Sequence, residues 1–305
     1  MVSPNGKKIA RIRVAGPDAK GIIATVTTFL FKNKVNIEDI DQRILEGFLV
    51  MNMVVDLTGM SESLADFRQG LKAAGQKIGM EITLHLEETR KIKNVAVLVT
   101  KEPHCLTTLL KEMRSEKIHG KPLMVLGNRP DLQGLAKKFG IPFFYNSSEK
   151  KKDHEAFLLQ KLAEHEIDLI VLARYMQILS PEFCFRYEGR IINIHPSLLP
   201  SFPGARAYSQ AYHKGVEFVG CTAHFVTTDL DQGPIICQGA FKVDKTKDSL
   251  ESIIERGKKQ EAVTLARAVK HFCDNRLVLR RGKVIDNFKL NQLEKKVQGF
   301  YSPSP

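Results

Sequence analysis

The 305-residue sequence contains no tryptophan and only five cysteines. No cysteine forms a C-x-x-C pair, and none clusters with histidines at the spacing of metal ligands. We therefore expect reduced thiols in a cytoplasmic protein, without a disulfide framework and without a metal site. The cysteines are Cys105, Cys184, Cys221, Cys237 and Cys273.

Long apolar runs are also missing. Residues 1–8 are polar and lack the apolar stretch of a secretory signal, and no later stretch approaches the length of a membrane span. We expect an unprocessed protein that has no membrane partner.

Basic residues are in excess, with 46 Lys and Arg against 34 Asp and Glu and a net charge of +12. A basic surface attracts anionic partners such as nucleic acids or a multiply carboxylated small molecule, and charge alone does not choose among them. The sequence has no aromatic–basic RNA motif and no C₂H₂ spacing, so we expect no nucleic-acid partner.

The first 88 residues have the pattern of a small sheet with two helices. Ala10, Ile12 and Val14 alternate with Arg11 and Arg13, which is typical of a half-buried strand. Further periodicities predict a helix from residue 22, strands at 36–45 and 48–57, a helix at 64–78 and a strand at 80–86. The order βαββαβ predicts a ferredoxin-like domain over residues 1–88, with a charged linker at 87–93.

Residues 89–305 predict a second, α/β domain with a Rossmann-like, mostly parallel sheet and a basic tail at 288–305. Predicted strands at 94–100, 123–127, 167–173 and 190–193 alternate with helices at 107–117, 131–139 and 153–165, and a helix at 250–272 follows. In open α/β sheets, ligands bind at the carboxyl ends of strands. The polar residues that follow Ala173 and Ile192 are therefore the first candidates for a site.

Three side chains form the candidate catalytic set. Asn193 and His195 lie two residues apart at a strand end, so they share one face and can donate to a developing oxyanion. Asp231 can orient water, accept its proton and keep the imidazole charged. Each residue alone also fits a structural role, as a hydrogen-bonded core histidine or an Asp that caps its own turn.

The stretch Asn193-x-His195-Pro196-Ser197-Leu198-Leu199-Pro200, taken with Asp231-x-Gly233-Pro234, resembles the folate-dependent formyltransferase fold over roughly residues 94–287. The resemblance implies that Asn193, His195 and Asp231 are catalytic and that the backbone of segment 174–183 holds the pterin ring of a folate. The loop 228–231 would lie on the other side of that ring, and no cofactor is implied beyond the folate substrate. The candidate substrate-binding residues are Met176, Gln177, Ile178, Leu179, Thr228, Asp229, Leu230, His104 and Gly204.

The first module resembles an ACT domain, through Gly16-Pro17-Asp18, Gly21-Ile22 and Asn36-Ile37. ACT domains commonly bind amino acids between paired copies, which implies a homo-oligomer and an amino-acid effector. The free N–H groups of the helix after Gly21 would receive the effector carboxylate, while Asn36 or Asp18 takes its ammonium group. The alternative is a module that serves only for oligomerisation.

An ACT domain followed by a formyltransferase-like domain is the arrangement of the formyltetrahydrofolate deformylase family. The resemblance implies hydrolysis of 10-formyltetrahydrofolate to formate and tetrahydrofolate, which would supply formate to purine biosynthesis and balance the one-carbon pool.

One departure from the family pattern keeps a second reaction open. Deformylases usually carry His and then Ser-Phe after the catalytic histidine, whereas Pro196-Ser197-Leu198 here is similar to the transferase that formylates glycinamide ribonucleotide. That amine carries a phosphate, which needs a glycine-rich loop or a nest of N–H groups, and residues 100–106 contain no glycine. We therefore favour water as the acceptor. The alternatives are formyl transfer to glycinamide ribonucleotide and, more remotely, a non-enzymatic amino-acid sensor or basic nucleic-acid binder built on a retired enzyme fold.

Overall fold

The computed structural model describes residues 8–45, 47–86, 92–280 and 282–286. The chain divides into two compact units, residues 1–91 and residues 92–305. Most of the linker predicted at 87–93, and the whole basic tail predicted at 288–305, lie outside the described residues.

The first unit is an antiparallel sheet with two helices. Its elements are β1 (Ile9–Pro17), α1 (Ile22–Lys32), β2 (Asn36–Leu45), β3 (Phe48–Asp56), α2 (Leu64–Lys77) and β4 (Glu81–Leu86). The strands lie in the order β2-β3-β1-β4, so β2 and β4 form the two edges. The predicted βαββαβ order is confirmed.

Alternation along β1 explains how this sheet buries one face. Ala10, Ile12 and Val14 are fully buried, and they form one apolar cluster with Val26 and Leu30 of α1. Burial of a Val, Leu or Ile side chain in this cluster stabilises the fold by roughly 1.5–3 kcal/mol. The helix therefore packs on the face that the sequence pattern marks as apolar.

The second unit contains a seven-stranded sheet with helices on both faces, and a small hairpin. Its elements are β5 (Lys93–Val99), α3 (His104–Arg114), β6 (Gly120–Gly127), α4 (Gln133–Lys138), β7 (Phe143–Tyr145), α5 (Lys151–Ala163), β8 (Leu169–Ala173), α6 (Pro181–Arg186), β9 (Ile191–His195), α7 (Ala207–His213), β10 (Phe218–Phe225), β11 (Ile235–Lys242), α8 (Leu250–Cys273), β12 (Leu277–Arg280) and β13 (Lys283–Asp286).

The sheet has the strand order β11-β10-β9-β8-β5-β6-β7. The strands from β9 to β7 are parallel, whereas β10 and β11 run antiparallel to their neighbours. The mostly parallel sheet is confirmed, and the antiparallel edge was not predicted. Because seven of the eight residues of β10 are buried, the strand lacks the alternation that marks a half-buried strand.

Helices cover both faces of this sheet, as the predicted α/β class requires. Leu109 of α3 and Leu265 of α8 belong to the cluster on one face. Leu158 of α5 and Phe183 of α6 belong to the cluster on the other. β8 is buried along its whole length, in agreement with its almost unbroken apolar sequence. Every helix in the described part of the chain is too short or too polar to cross a lipid bilayer.

Candidate active site

The candidate site lies where β9 ends. β9 runs to His195, two residues further than the predicted strand, so Asn193 and His195 are both strand residues with side chains on one face. β10 pairs with β9 so that His224 lies opposite Asn193 and Thr222 lies opposite His195. The antiparallel neighbour therefore adds its own side chains to the site.

His195 and Asp231 form a buried ion pair. The His195 Nδ1 atom lies 3.2 Å from Asp231 Oδ2, and His195 Nε2 lies 3.0 Å from the carbonyl oxygen of Phe202. A carbonyl oxygen can only accept, and so can an ionised carboxylate. Both ring nitrogens therefore face acceptors, and this geometry suits the doubly protonated imidazolium form of His195.

The charge of Asp231 is stabilised from several directions. Burial raises the pKa of the Asp231 carboxyl, but the hydrogen bond and charge of His195 and the Gly204 N–H lower it, and the net shift of this pKa is downward. Gly204 donates to Asp231 Oδ2 over 3.0 Å. Oδ1 lies 3.8 Å from His224 Nε2 and, among the described residues, accepts no hydrogen bond. Asp231 is therefore an ionised carboxylate with one oxygen still available.

His224 orients the amide of Asn193. The His224 Nδ1 atom donates to the Phe225 carbonyl oxygen over 2.9 Å, which leaves a lone pair on Nε2. Asn193 Nδ2 lies 3.3 Å from that nitrogen and can donate to it. Burial lowers the pKa of His224, which favours the neutral ring that this arrangement needs. One N–H of the Asn193 amide is thus held, and the second is free to donate to a ligand.

The loop that carries Asp231 depends on a glycine. A Cβ atom on Gly233 would lie 1.7 Å from the Phe225 carbonyl oxygen, so only glycine allows this close approach. The Phe225 N–H donates to the Pro234 carbonyl over 2.9 Å and closes the loop onto β10. Asp231 itself has a φ of 57°, in the left-handed region that Asp tolerates better than most residues. The spacing Asp-x-Gly-Pro therefore serves to place this carboxylate beside His195.

Exposed apolar side chains flank the polar set. Met176 and Ile178 follow β8 and are 55% and 61% exposed, and Leu230 on the Asp231 loop is 51% exposed. Leu179 is buried, Gln177 is half-buried, and Thr228 and Asp229 are exposed. Exposed large apolar residues on two neighbouring loops are typical of a ligand surface.

His104 belongs to a separate polar network around Glu261. The Nε2 atom of His104 lies 3.0 Å from Glu261 Oε2, and Arg174 Nε lies 3.5 Å from the same oxygen. The Tyr208 hydroxyl donates to Glu261 Oε1 over 2.8 Å. Burial raises the pKa of Glu261, but His104, Arg174 and Tyr208 lower it, and its net shift is downward. Both oxygens of this carboxylate are therefore occupied.

This network also contains three potential metal ligands, although no metal was predicted. His104, Cys105 and Glu261 offer ligand atoms within 4.8 Å of one another. Burial raises the pKa of the Cys105 thiol well above its usual value, which disfavours the thiolate that a metal needs. The Arg174 cation already contacts Glu261, so the arrangement favours a closed ion-pair network over a metal site.

The predicted effector residues do not form one site within a single ACT domain. Asp18 and Gly21 follow the end of β1 where Pro17 pairs with Phe48, and Gly21 is the N-cap of α1. Asn36 pairs with Asp56 at the other end of the sheet, and its amide donates to Glu38 over 3.1 Å. Nine residues of β1 separate the two ends, about 30 Å. Within one copy the β1–α1 turn and Asn36 therefore lie at opposite ends of the sheet, so a ligand that contacts both would bind between two copies, and the effector site stays a prediction.

Sequence reasoning missed several residues that complete the site. His224, the Phe202 carbonyl and Glu261 all contact candidate residues. His224 reaches Asn193 through the unpredicted pairing of β9 with β10, and Glu261 reaches His104 through the packing of α8. Phe202 lies in the connection between β9 and α7, which has no periodic pattern. The one available signal was a histidine near the end of the apolar run 218–225, two residues after Thr222.

Fold and site together define an α/β enzyme of the formyl transferase type that carries an additional N-terminal domain. The family described as "Formyl transferase" matches residues 93–269, and the family described as "ACT domain" matches residues 8–85. These matches cover both units of the structure and agree with the two resemblances noted in the sequence.

Relatives with both domains identify the family. A formyltetrahydrofolate deformylase of Bacillus subtilis is 36% identical over 280 residues, which cover 90% of this chain and 92% of that protein. The crystal structure of a formyltetrahydrofolate deformylase from Pseudomonas syringae has a TM-score of 0.64 at 30% identity and covers 93% of this chain and 96% of its own. A glycinamide ribonucleotide transformylase from Symbiobacterium toebii has a TM-score of 0.61 at 32% identity but covers only 67% of this chain and 97% of its own. The chain belongs to the formyltetrahydrofolate deformylase family.

The lowered pKa of Asp231 predicts a pH dependence of stability. A carboxyl whose pKa is lower in the folded protein stabilises the fold above the unfolded pKa of about 3.9, and this contribution is lost as the pH falls through the folded pKa. Asp231→Asn should therefore lose less unfolding free energy than the wild type between about pH 6 and pH 3, measured by urea denaturation. Asp229→Asn, two residues earlier in the same loop, is the control and should follow the wild type. Equal acid losses in wild type and Asp231→Asn would contradict the ion pair.

Proposed function

We propose that the chain hydrolyses 10-formyltetrahydrofolate to formate and tetrahydrofolate at the site formed by Asn193, His195 and Asp231. The observation that carries the proposal is the buried His195–Asp231 pair beside an oriented amide, with Asp231 Oδ1 left to hold a water molecule. Membership of the deformylase family supports the same reaction.

In the proposed mechanism, Asp231 Oδ1 orients a water molecule and accepts its proton as the water oxygen attacks the formyl carbon. The carbon–nitrogen bond then breaks, and the folate nitrogen takes up the proton from Asp231, directly or through His195. Formic acid leaves and releases the second proton of the water to solvent, which gives formate. The lowered pKa of Asp231 keeps the carboxylate ionised at neutral pH in spite of burial, so that it can accept a proton. The proposed mechanism uses only protein side chains, the folate substrate and water.

Asn193 and His195 would stabilise the oxyanion. The free N–H of the Asn193 amide can donate to the formyl oxygen while His224 holds the other N–H. The His195 imidazolium contributes its positive charge from the same strand face. Its Nε2–H is already donated to the Phe202 carbonyl, so a direct hydrogen bond to the oxyanion requires that this interaction give way.

The folate would bind across the two apolar loops. Met176 and Ile178 on one side and Leu230 on the other offer apolar surface to the flat pterin ring. The backbone of Gln177 to Leu179 and of Thr228 to Asp229 would supply hydrogen bonds to its edge. Gly204, whose N–H contacts Asp231, and His104 in the Glu261 network would border the site at its acceptor side.

Water is favoured as acceptor by the loop between β5 and α3. The loop of residues 100–103 contains no glycine, and the carboxylate of Glu102 lies there, 3.9 Å from His104 Nδ1. The loop therefore offers no glycine-rich nest of N–H groups to the phosphate of a phosphorylated amine, and the Glu102 carboxylate is itself paired with Lys258 Nζ over 3.6 Å.

The acceptor is tested with 10-formyltetrahydrofolate in the presence and absence of glycinamide ribonucleotide. We expect formate at the same rate in both mixtures, measured by a formate dehydrogenase assay, and no formylated amine by mass spectrometry. Accumulation of the formylated amine with formate only at background would establish the transferase reaction instead.

Substitutions in the catalytic set should separate the proposed roles. Asp231→Asn and His195→Ala should each lower kcat by about 10²- to 10⁴-fold, the usual cost of losing a positioned acid–base group. His224→Ala should lower kcat less, about 10-fold, and should add little to Asn193→Ala, because it acts through Asn193. Steady-state kinetics on the four single variants and on the double variant Asn193→Ala/His224→Ala, all with native circular dichroism, measures these effects. Losses of only a few-fold at both Asp231 and His195 would mean that the active site lies elsewhere.

We further propose that two ACT domains pair through β2 and bind an amino acid between them. β2 is an edge strand with Ile40 and Ile44 exposed, and sheet edges tend to be covered. Antiparallel pairing of two β2 strands would bring Asn36 of one copy to the end of the partner's sheet that carries its β1–α1 turn. The N–H groups at the start of α1 would then receive the carboxylate, and Asn36 the ammonium group.

Sedimentation and rate measurements test this pairing. We expect the intact chain to be a homo-oligomer, and glycine, serine or methionine to change its rate or its melting temperature. Asn36→Ala should abolish that response without changing the oligomer, whereas Gln42→Ala, in the middle of the same edge strand, should keep it. A monomer would contradict the pairing, and an oligomer that responds to no amino acid would leave the domain as an assembly platform only.

A further inference from the structure

The segment 175–180, between β8 and α6, is held by hydrogen bonds at both ends and carries exposed side chains in between. Tyr175 at one end is buried, and Ser180 at the other is the N-cap of α6. Between them the side chains of Met176 and Ile178 are exposed. A short segment whose two ends are held by neighbouring elements, and which carries exposed side chains between them, presents its backbone at a defined place.

In the part of the chain that the structure describes, the backbone groups of Ile178 and Leu179, in the middle of this segment, have no hydrogen-bond partner. Leu179 is nevertheless only 8% exposed, and backbone polar groups in such positions are normally paired. These groups are therefore available to a flat heterocycle whose edge carries both donors and acceptors.

His154 on α5 holds the first end of the segment. Its Nδ1 atom lies 3.3 Å from the side-chain oxygen of Asn146, an acceptor, so Nδ1 carries the proton and Nε2 the lone pair. The Tyr175 hydroxyl lies 2.5 Å from Nε2 and donates to it. Burial lowers the pKa of His154 and raises that of Tyr175, which favours the neutral forms of both.

Glu155, the next residue of α5, holds the second end. Its Oε1 atom accepts the Ser180 N–H over 2.7 Å, and the side chain is largely buried. A third anchor comes from Thr100 at the end of β5, whose Oγ1 accepts the Met176 N–H over 3.0 Å. Two consecutive residues of one helix thus hold both ends of a six-residue segment.

We infer that His154 and Glu155 are positioning residues that hold the backbone of residues 176–179 in the conformation that binds the pterin ring. The inference rests on the proposed function, because it takes folate as the ligand of this segment. A buried polar network is costly unless every member is satisfied, and an apolar core would stabilise α5 against β8 at least as well. The polar side chains instead fix the conformation of residues 176–179. Because this segment is already ordered before the ligand arrives, binding costs little conformational entropy.

Three substitutions test the inference. Tyr175→Phe removes the hydroxyl that His154 accepts, Glu155→Ala removes the acceptor of the Ser180 N–H, and Glu155→Gln keeps a carbonyl oxygen at that place. We expect Tyr175→Phe and Glu155→Ala to raise KM for 10-formyltetrahydrofolate about 5- to 30-fold, with kcat changed less than about 2-fold. Glu155→Gln should restore KM to within about 3-fold of the wild type.

A second measurement separates positioning from simple stability. The Kd for tetrahydrofolate, measured by calorimetry on the full chain, should rise in parallel with KM in Tyr175→Phe and Glu155→Ala. Leu162→Ala, which removes a core side chain from the far end of α5, should lower the melting temperature while KM and Kd stay at wild-type values.

Two results would overturn the inference: unchanged KM and Kd in variants with a lowered melting temperature, or a fall in kcat alone. A wild-type chain that binds tetrahydrofolate but releases no formate would refute the proposed reaction, and the Kd comparison would still decide the role of α5. A wild-type chain that does not bind tetrahydrofolate would refute both.

Discussion

The ion pair between His195 and Asp231 is the interaction on which the candidate site depends. Two charges are taken out of water at the end of β9, which is costly unless their remaining hydrogen-bonding groups are satisfied. The Phe202 carbonyl and the Gly204 N–H meet this requirement from the connection between β9 and α7. The same contacts fix the imidazole ring and one carboxylate oxygen, so the groups that stabilise the pair also set its geometry and leave a single oxygen for chemistry.

The second unit contains another buried carboxylate, and the comparison shows how neighbours decide what such a group can do. Asp231 and Glu261 are both ionised in spite of burial, because cationic or donor groups lower their pKa values. Both oxygens of Glu261 are contacted, by His104 of α3, by Arg174 just after β8 and by Tyr208 of α7, so Glu261 serves as a structural junction. Asp231 keeps one oxygen that accepts no hydrogen bond from the described residues, and this oxygen lies 3.8 Å from His224 Nε2, the atom that the Asn193 amide contacts. The two carboxylates therefore carry the same charge and differ in how many of their oxygens already have a hydrogen-bond partner.

Much of the fold followed from periodicity. The alternation of Ala10, Ile12 and Val14 and the unbroken apolar run of β8 are local signals. The pattern of apolar residues along a strand indicates whether one face or both faces are buried. The strands and helices that were missed are of three kinds. β7, α6, α7, β12 and β13 are too short to show a period, and β10 is buried on both faces and has none. The third kind is β11, an edge strand without a regular alternation of buried and exposed residues. The predicted strand before the site also ended two residues early, since polar residues such as Asn193 and His195 resemble a turn until β10 is known to cover them.

The sequence by itself determined the family, the two-domain order and the identity of the three catalytic candidates, because motif residues and their spacing are properties of the chain. Only the tertiary structure decided what those residues touch. Hydrogen bonds from β10 to β9 place His224 against Asn193, and the packing of α5 places two polar residues at the ends of segment 175–180. Register likewise separates Asn36 from Asp18, although both lie within a short stretch of sequence. Contacts between residues far apart in the chain depend on strand pairing and helix packing, which no local pattern specifies.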